Sequence, residues 1–264
     1  MNAVMSIVHP RTVTTQKEWE DLAQLDPLWA ILSDNRKQFG GWDEEEFFAS
    51  GEREIALLMK SCRFAAGDHG KVLDFGCGVG RLSRALLRYF SAVYGVDIST
   101  EMIRLAKEYT PSCTFLLNPE DDLRLFASDF FDFVYSNIVL QHQRTKRIAM
   151  SYITEFLRVL KPGGMVVFQM PYKLSLRDAL QPRRRLYSSL KAMGVPADFL
   201  YHQLHLNPMR TISVSFDDVK AAISAAGGRL MRSHLDSFNR NSMSYIVTKV
   251  PPPDRCSLDP QGAL

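Results

Sequence analysis

The chain has 264 residues, of which 46% are hydrophobic and 23% are charged, and its formal net charge is +3. This composition is ordinary for a globular protein, and the length suits one large α/β domain with additions or at most two domains. A net charge this small does not by itself indicate nucleic-acid binding.

The cysteine pattern and the hydropathy predict a cytoplasmic protein. Cys62, Cys77, Cys113 and Cys256 form no CxxC pair and no cluster with zinc spacing, so we expect free thiols in a reducing compartment. The amino-terminal residues lack the apolar segment of a signal peptide. No apolar run reaches the roughly 18 residues that a transmembrane helix needs.

Residues 1–65 are predicted to form a helical cap. Residues 1–15 are expected to be loose, and helices then follow up to about residue 65 with a break at "FGGWDEEEF". Asp43 can cap the second helix, whose first turn is acidic. The aromatic side chains of this region are expected to pack in its core, although some can line a pocket if the helices cover one: Trp19, Trp29, Trp42, Phe47 and Phe48.

From residue 71 onward, short apolar strands alternate with helices. Strands are predicted at "KVLDF", "AVYGVD", "TFLL", "FFDFVYS" and "MVVFQM", with helices at 79–90, 99–109 and about 145–160 between them. In the last of these helices, five apolar residues share one face by 3.6-residue spacing: Ala149, Tyr152, Ile153, Phe156 and Leu160. Lys161-Pro162-Gly163-Gly164 is expected to end that helix. The alternation predicts a parallel sheet covered on both faces, within one domain over 66–250.

The carboxy-terminal third has a different pattern. Ser215 and Gly227 bound a predicted helix, and the two strands that follow can pair as a hairpin. Residues 251–264 are expected to form a disordered tail. Residues 172–210 form an insertion with seven basic and two acidic side chains.

The loop "VLDFGCGVGR" has the spacing G-x-G-x-G at Gly76, Gly78 and Gly80. A dinucleotide loop needs G-x-G-x-x-G, and here Arg81 or Ser83 would occupy its third glycine position. Asp74 precedes the loop at the strand end, where a carboxylate would repel a pyrophosphate. It would instead suit a cationic amino group.

Asp97 ends the second strand, 21 residues after Gly76. A carboxylate at this position can accept hydrogen bonds from both ribose hydroxyls. A role as a helix cap is less favoured, since Ser99 competes for that position. The predicted ligand is therefore a nucleoside with an amino-acid part and no pyrophosphate, which S-adenosylmethionine (SAM) fits.

Four segments in order resemble the successive motifs of class I SAM-dependent methyltransferases, in a bacterial small-molecule subgroup of the type 11/25 kind. They are "VLDFGCGVGRL", "VYGVDISTEMIRLAK", "FDFVYSNIVLQH" and "RVLKPGGMVVFQMP", over roughly residues 71–171. The resemblance implies a Rossmann-like α/β fold. Its seven-stranded sheet has the order 3-2-1-4-5-7-6, with strand 7 antiparallel.

The resemblance also implies which residues bind SAM. Asp74 and the loop Phe75–Gly80, which includes Cys77, would hold the methionine part, and Asp97 would hold the ribose. Ile98 and Met102 would flank the adenine, and Asn137 would lie near the methionine moiety. Relatives often carry a Gly-Asp pair that contacts the adenine amino group, whereas this chain has "LLNPEDDL". Four side chains remain alternatives for that contact: Asn118, Glu120, Asp121 and Asp122.

His142 follows the fourth strand, near the expected position of the transferred methyl group. A neutral imidazole there can take a proton from a hydroxyl or an amine, although a loop histidine that packs or caps a helix is an open alternative. No metal site is expected, because the acidic "PEDD" is more typical of a solvated loop.

The sequence thus predicts methyl transfer to a small-molecule or glycan/lipid-linked acceptor, by O- or N-methylation. The cap and the 172–210 insertion would form a lid over the site. Arg183–Arg185 would either be an exposed helix face or bind an anionic substrate or a lipid surface.

Three other functions stay open at this stage. They are an inactive SAM-fold scaffold, an enzyme that binds NAD or a nucleotide sugar, and an RNA methyltransferase. RNA methylation is disfavoured because "SNIVLQH" replaces the Asn/Asp-Pro-Pro-Tyr/Phe-type motif. The oligomeric state is not predicted.

Overall fold

The structure is a computed structural model that describes residues 10–64, 67, 69–236 and 241–251. The first nine residues, Cys256 and the predicted tail beyond residue 251 lie outside the described residues.

Ten helices and seven strands make up the described chain, together with 3₁₀ turns at Asn35–Lys37 and Leu140–His142. The helices are α1 (Pro10–Leu25), α2 (Pro27–Ile31), α3 (Glu44–Cys62), α4 (Arg81–Leu86), α5 (Thr100–Tyr109), α6 (Lys146–Val159), α7 (Leu176–Leu180), α8 (Pro182–Ala192), α9 (Ala197–His202) and α10 (Phe216–Ala225). The strands are β1 (Lys71–Phe75), β2 (Ala92–Asp97), β3 (Thr114–Leu117), β4 (Phe131–Ser136), β5 (Leu160–Pro171), β6 (Gly228–Leu235) and β7 (Ser242–Lys249).

The seven strands form one sheet in the order β3-β2-β1-β4-β5-β7-β6. Neighbouring strands from β3 to β5 are parallel, and β7 is antiparallel to both β5 and β6. The predicted order and the single antiparallel strand are confirmed.

Helices cover both faces of the sheet, as the continuous apolar strands require. On one face, α6 buries the predicted stripe that includes Ile153 and Phe156 against β1 and β4. On the other face, Ile55 of α3 and Leu86 of α4 pack against Val72 of β1. The two layers leave the carboxyl ends of the parallel strands for a binding site.

Three element boundaries differ from the prediction. Helix α1 begins at Pro10 rather than at residue 16, because proline is well tolerated in the first helical turn, where its missing N–H has no intrahelical partner. Helix α4 begins at Arg81 rather than at 79, because the glycine loop continues to Gly80. Strand β5 begins at Leu160, so the Lys-Pro-Gly-Gly segment after α6 belongs to the strand.

The predicted helix caps are present. The Asp43 carboxylate accepts a hydrogen bond from the Glu46 amide at 2.9 Å, and the Ser215 hydroxyl accepts one from the Asp218 amide at 3.2 Å. Ser99 caps α5 by accepting from the Met102 amide at 3.1 Å. The helices therefore begin where the local sequence satisfies their free amides.

The insertion folds as α7 to α9 and packs against the amino-terminal helices. Tyr201 of α9 is fully buried, and its hydroxyl donates to the Asp26 carboxylate at 2.8 Å. Asp26 also accepts from the Gly40 amide at 3.0 Å. Because this carboxylate is itself buried, these bonds tie the insertion to the cap where their loss would be costly.

Helix α3 lies unusually close to the start of α4 at Gly51. A Cβ atom added at Gly51 would stand 2.6 Å from the Arg81 carbonyl oxygen and 2.9 Å from the Arg81 Cγ. The close approach brings Glu54 of α3 within 2.7 Å of the Arg81 guanidinium.

Gly51→Ala is expected to destabilise the fold by about 1–3 kcal/mol, the usual cost of overpacking. In an exposed helix interior the same change would be favourable by about 1 kcal/mol. Urea unfolding measures the free energy of unfolding of Gly51→Ala and of wild type. Glu52→Ala, on the exposed face of the same helix, is the control. A Gly51→Ala protein as stable as the control would contradict the close packing.

Candidate functional site

A cleft of about 920 Å³, counted to its open mouth, lies at the carboxyl ends of β1 to β4. The glycine loop, the segment after β3 and the segment after β4 form its walls, and α1 and α2 cover it. Its lining comprises Thr15, Trp19, Ala30, Ile31, Phe75, Gly76, Gly78, Val96, Asp97, Ile98, Met102, Asn118, Glu120, Asp121, Asn137, Ile138, Val139, His142, Gln143, Arg144 and Tyr152.

The glycine loop turns sharply between β1 and α4. Gly76 and Gly78 have φ of +76° and +52°, a region that other residues rarely adopt. A Cβ at Gly78 would also stand 2.4 Å from Ile31 Cδ1. The backbone of the loop is therefore exposed to the cleft on one side and covered by the cap helix α2 on the other.

Asp97 joins the glycine loop to the start of α5. Its carboxylate accepts hydrogen bonds from the Gly78 amide at 3.0 Å and from the Ser99 amide at 2.9 Å. Burial raises the pKa of Asp97, and these two amide hydrogen bonds oppose the rise. The result is a fixed carboxylate in the wall of the cleft.

One end of the cleft is formed by Ile98, Met102 and the segment after β3. Asn118 is buried, and its side-chain amide donates to the Asp122 carbonyl at 2.9 Å. Asp121 forms an ion pair with Arg144 across the cleft wall. Of the four alternatives for an adenine contact, Asn118, Glu120 and Asp121 line the cleft, whereas Asp122 does not.

A polar network lies behind Asn137, at the end of β4. Glu54 of α3 accepts from the Asn137 side-chain amide at 2.8 Å and from the Tyr135 hydroxyl at 2.8 Å. The same carboxylate pairs with Arg81 at 2.7 Å, and Arg81 is 3% exposed. Glu54 therefore fixes Asn137 from outside the cleft.

Three predicted site residues do not line the cleft: Asp74, Cys77 and Gly80. Asp74 lies beneath the loop, 1% exposed, and accepts from the Ser83 hydroxyl at 2.6 Å. Cys77 is buried against α5, and Gly80 faces Phe115 of β3. Burial raises the pKa of Asp74 to about 7, against the lowering effect of the Ser83 hydrogen bond.

His142 lies in the 3₁₀ turn after β4 and lines the cleft. Its Nδ1 donates to the Arg210 carbonyl at 2.5 Å, so Nε2 carries the lone pair of the neutral ring and lies 3.1 Å from the Gln141 side-chain amide. The Trp19 ring contacts it edge-on at 5.4 Å between ring centroids. Desolvation lowers the pKa of His142, which favours the neutral imidazole.

Comparison with known proteins adds to this geometry. Residues 73–168 match the family model described as a methyltransferase domain. A trans-aconitate 2-methyltransferase from Azoarcus sp. is 26% identical over 215 residues, 75% of this chain and 83% of that protein. A malonyl-[acyl-carrier protein] O-methyltransferase from Pectobacterium atrosepticum is 32% identical over 137 residues, so this match spans about half of each chain (52% and 50%).

Among solved structures, a magnesium protoporphyrin IX methyltransferase from Synechocystis with bound S-adenosylhomocysteine (SAH) has the same fold. Its TM-score is 0.59 at 18% identity, over 90% of this chain and 99% of that one. Together these similarities support a class I SAM-dependent methyltransferase. The predicted fold is thereby confirmed, and the similarities support the predicted family and SAM as its cofactor.

In this methyltransferase, ten of the thirteen predicted site residues share one cleft. Residues from outside the recognised motifs complete it, chiefly Thr15 and Trp19 of α1, Ile31 of α2, and Arg144 and Tyr152 around the start of α6. Arg144 stands two residues after His142 and could have been selected from the sequence. Nothing local in the sequence indicates that Thr15 and Ile31 reach the site.

Two further features bear on the predicted chemistry. Within the described ranges, no group of three or more His, Cys, Asp and Glu side chains is arranged to hold a metal ion. No helix in the described part of the methyltransferase has both the length and the apolarity to cross a bilayer.

Asp74→Asn is expected to change how stability depends on pH. The folded-state pKa of about 7 exceeds the ordinary 3.8, so the wild type loses stability as the pH rises between these values. At about 1.4 kcal/mol for each pKa unit, the variant should gain a few kcal/mol relative to wild type between pH 4 and pH 8. Urea unfolding at both pH values measures this, with exposed Asp217→Asn as the control. If the free energies of unfolding of Asp74→Asn and wild type differ by the same amount at pH 4 and pH 8, the raised pKa of Asp74 is contradicted.

Proposed function

We propose that this protein transfers a methyl group from SAM to an oxygen or nitrogen atom of a small-molecule or glycan/lipid-linked acceptor. The observation that carries the proposal is one continuous cleft, with the Asp97 carboxylate and the glycine loop in one wall and His142 in another. Binding residues and a titratable base therefore share the same space, as a transfer reaction requires.

The donor set around Asp97 supports a nucleoside ligand. A carboxylate has about four lone-pair positions, and the Gly78 and Ser99 amides take two of them. The remaining positions are available to two ribose hydroxyls. Ile98 and Met102 supply apolar surface for the adenine, and Asn118 or Asp121 its polar contact, within the same lining.

The methionine part of SAM is proposed to lie between the glycine loop and Asn137. At this end of the cleft, a ligand can come close to the backbone of Phe75, Gly76 and Gly78. Glu54 orients the amide of Asn137, which lines the same space. Asp74 is separated from the cleft lining and bonded to Ser83, so its contact with the amino group stays a prediction.

When bound, SAM supplies a methyl group already activated by its sulfonium sulfur. The protein then has to align the acceptor, exclude water and remove a proton where the nucleophile is a hydroxyl or an amine. His142 is proposed as that base, because Nε2 has the lone pair and the Arg210 carbonyl holds the tautomer. The Gln141 amide at Nε2 would be displaced by the acceptor.

The relatives do not identify the acceptor, since they are named for substrates as different as trans-aconitate and malonyl-[acyl-carrier protein].

The domain scheme stays a proposal, in which the cap over 1–65 and the insertion over 172–210 form a lid. A cytoplasmic location and membrane contact also remain predictions. For membrane contact, Arg183 and Arg185 are exposed, whereas Arg184 is bonded inward to Glu18.

The experiment is an incubation with SAM labelled in its methyl group and a cell extract separated into small molecules, lipids, RNA and protein. Label in the small-molecule or lipid fraction is expected. Label confined to RNA or protein would contradict the proposal. No transfer to any fraction, with SAM binding intact, would favour the inactive scaffold.

His142→Gln is expected to lower the transfer rate by roughly 10²- to 10⁴-fold, the usual contribution of a general base, while SAH binding is unchanged. Because desolvation lowers the pKa of His142, the wild-type rate should rise with pH and level off at a lower pH than it would with an ordinary histidine as the base. The variant should lose this pH dependence. A variant with the wild-type rate and pH profile would show that His142 only packs beside Trp19.

A further inference from the structure

Positive charge is in excess around His142, between the main cleft and α1. Three arginine side chains that are mostly buried meet two carboxylates there: Arg144, Arg184 and Arg210 with Glu18 and Asp121. The side chains of the arginines are 14%, 19% and 21% exposed. Guanidinium groups withdrawn from water to this extent need anionic partners.

Arg210 has the weakest pairing of the three. Arg144 is bound to Asp121, and Arg184 donates to Glu18 at 3.0 Å. Within the described ranges, the Arg210 guanidinium pairs only with Glu18, at 4.0 Å, which is beyond hydrogen-bond distance. The Glu18 carboxylate is therefore shared by two arginines, and its hydrogen bond goes to Arg184.

A second, smaller cavity of about 200 Å³, counted to its open mouth, is lined in part by Arg210. Glu18, Leu22, Met209 and Arg210 line it, and it shares Trp19 and His142 with the main cleft. The backbone carbonyl of Arg210 accepts the Nδ1 proton of His142, which fixes Arg210 next to the proposed base. A group in the smaller cavity would thus lie across His142 and Trp19 from the cofactor end.

The electrostatics agree with this geometry. Desolvation and the charges of Arg184 and Arg144 lower the pKa of Arg210, against the effect of Glu18. The pKa of Glu18 is raised by burial in spite of its two arginine neighbours. The lowered pKa of Arg210 describes a guanidinium with too little negative charge around it, whereas the raised pKa of Glu18 reflects the cost of burying its own carboxylate.

We propose that Arg210 binds a carboxylate of the methyl acceptor in the cavity between Trp19, His142 and Glu18. The inference rests on the proposed function, because it assigns this cavity to the acceptor. A carboxylate matches the planar fork of a guanidinium and can accept two parallel hydrogen bonds from it. Glu18 occupies Arg210 weakly when no acceptor is bound and competes with the incoming carboxylate.

The test is a calorimetric titration of the SAH-saturated protein with malonate and succinate, each compared with its uncharged diamide at constant ionic strength. Wild type is expected to bind the dicarboxylates at least about tenfold more tightly than the diamides, as a charge-assisted pair implies. Arg210→Gln should remove this preference. Glu18→Gln should strengthen dicarboxylate binding, because the competing carboxylate is gone.

Arg177→Gln is the matched control, since Arg177 is exposed on α7 of the same insertion, and it should behave as wild type. Equal binding of dicarboxylates and diamides by wild type, or an Arg210→Gln protein that keeps the preference, would overturn the inference. If Arg210→Gln does not fold, Glu18→Gln provides the test. Stronger dicarboxylate binding by this variant would support the inference, and unchanged or weaker binding would overturn it.

SAH binding is measured separately for each protein, and the dicarboxylate titrations are repeated without SAH. A wild type that prefers dicarboxylates but binds no SAH would contradict the proposed function and leave the anion site standing. A wild type that binds SAH without preferring dicarboxylates would contradict the anion site and leave the proposed function standing.

Discussion

The Asp97 carboxylate is the constraint on which the site depends. It stands at the end of β2 and accepts the amide of Gly78 from the loop that follows β1, so it fixes two neighbouring strand ends relative to each other. Its second bond, from the Ser99 amide, sets the start of α5 and thereby the position of Met102. A buried carboxylate is costly unless its oxygens are hydrogen-bonded, and here the backbone provides those bonds in advance of any ligand.

The covering over this site is held by charged and polar ties rather than by apolar packing alone. Glu20 of α1 accepts from the Ser99 hydroxyl at 2.8 Å, and Glu54 of α3 accepts from Asn137 at 2.8 Å. Asp26 and Glu18 bind Tyr201 and Arg184 of the insertion. Each tie joins the amino-terminal helices to the sheet or to the insertion, so α1 and α2, which line the cleft, are held in place from both sides. Buried ties of this kind specify one arrangement, because breaking one leaves an unpaired polar group.

The sequence predicted the sheet well because its signals are local. Apolar strands, capped helices and the glycine loop each depend on a few adjacent residues, and the motif order supplied the strand order through the family resemblance. The residues at strand ends, such as Asp97 and Asn137, also reach the cleft as expected, since the carboxyl ends of parallel strands meet at one edge.

The covering was harder to predict, because it depends on contacts between distant segments. Ile31 lies over Gly78, and Trp19 lies against His142, more than 40 residues away in each case. For Asp74 the motif predicts a ligand contact, which stays a prediction. Its side chain is buried beneath the loop and bonded to Ser83, a partner that the motif alone did not indicate. Arg184 turns inward to Glu18, which the sequence did not indicate, since it left the run of three arginines open between an exposed helix face and a site for an anion or a lipid.

The most direct test of the account is calorimetric titration of SAH into wild type and Asp97→Asn. Asparagine keeps the shape of the side chain but loses the negative charge that strengthens bonds from ribose hydroxyls. At about 1.5–3 kcal/mol for a hydrogen bond to a charged group, the affinity should fall by roughly ten- to a hundredfold or more. The matched variant Asp217→Asn, on the exposed first turn of α10, should bind SAH as wild type does. Equal affinity in wild type and Asp97→Asn would contradict the central role given to this carboxylate.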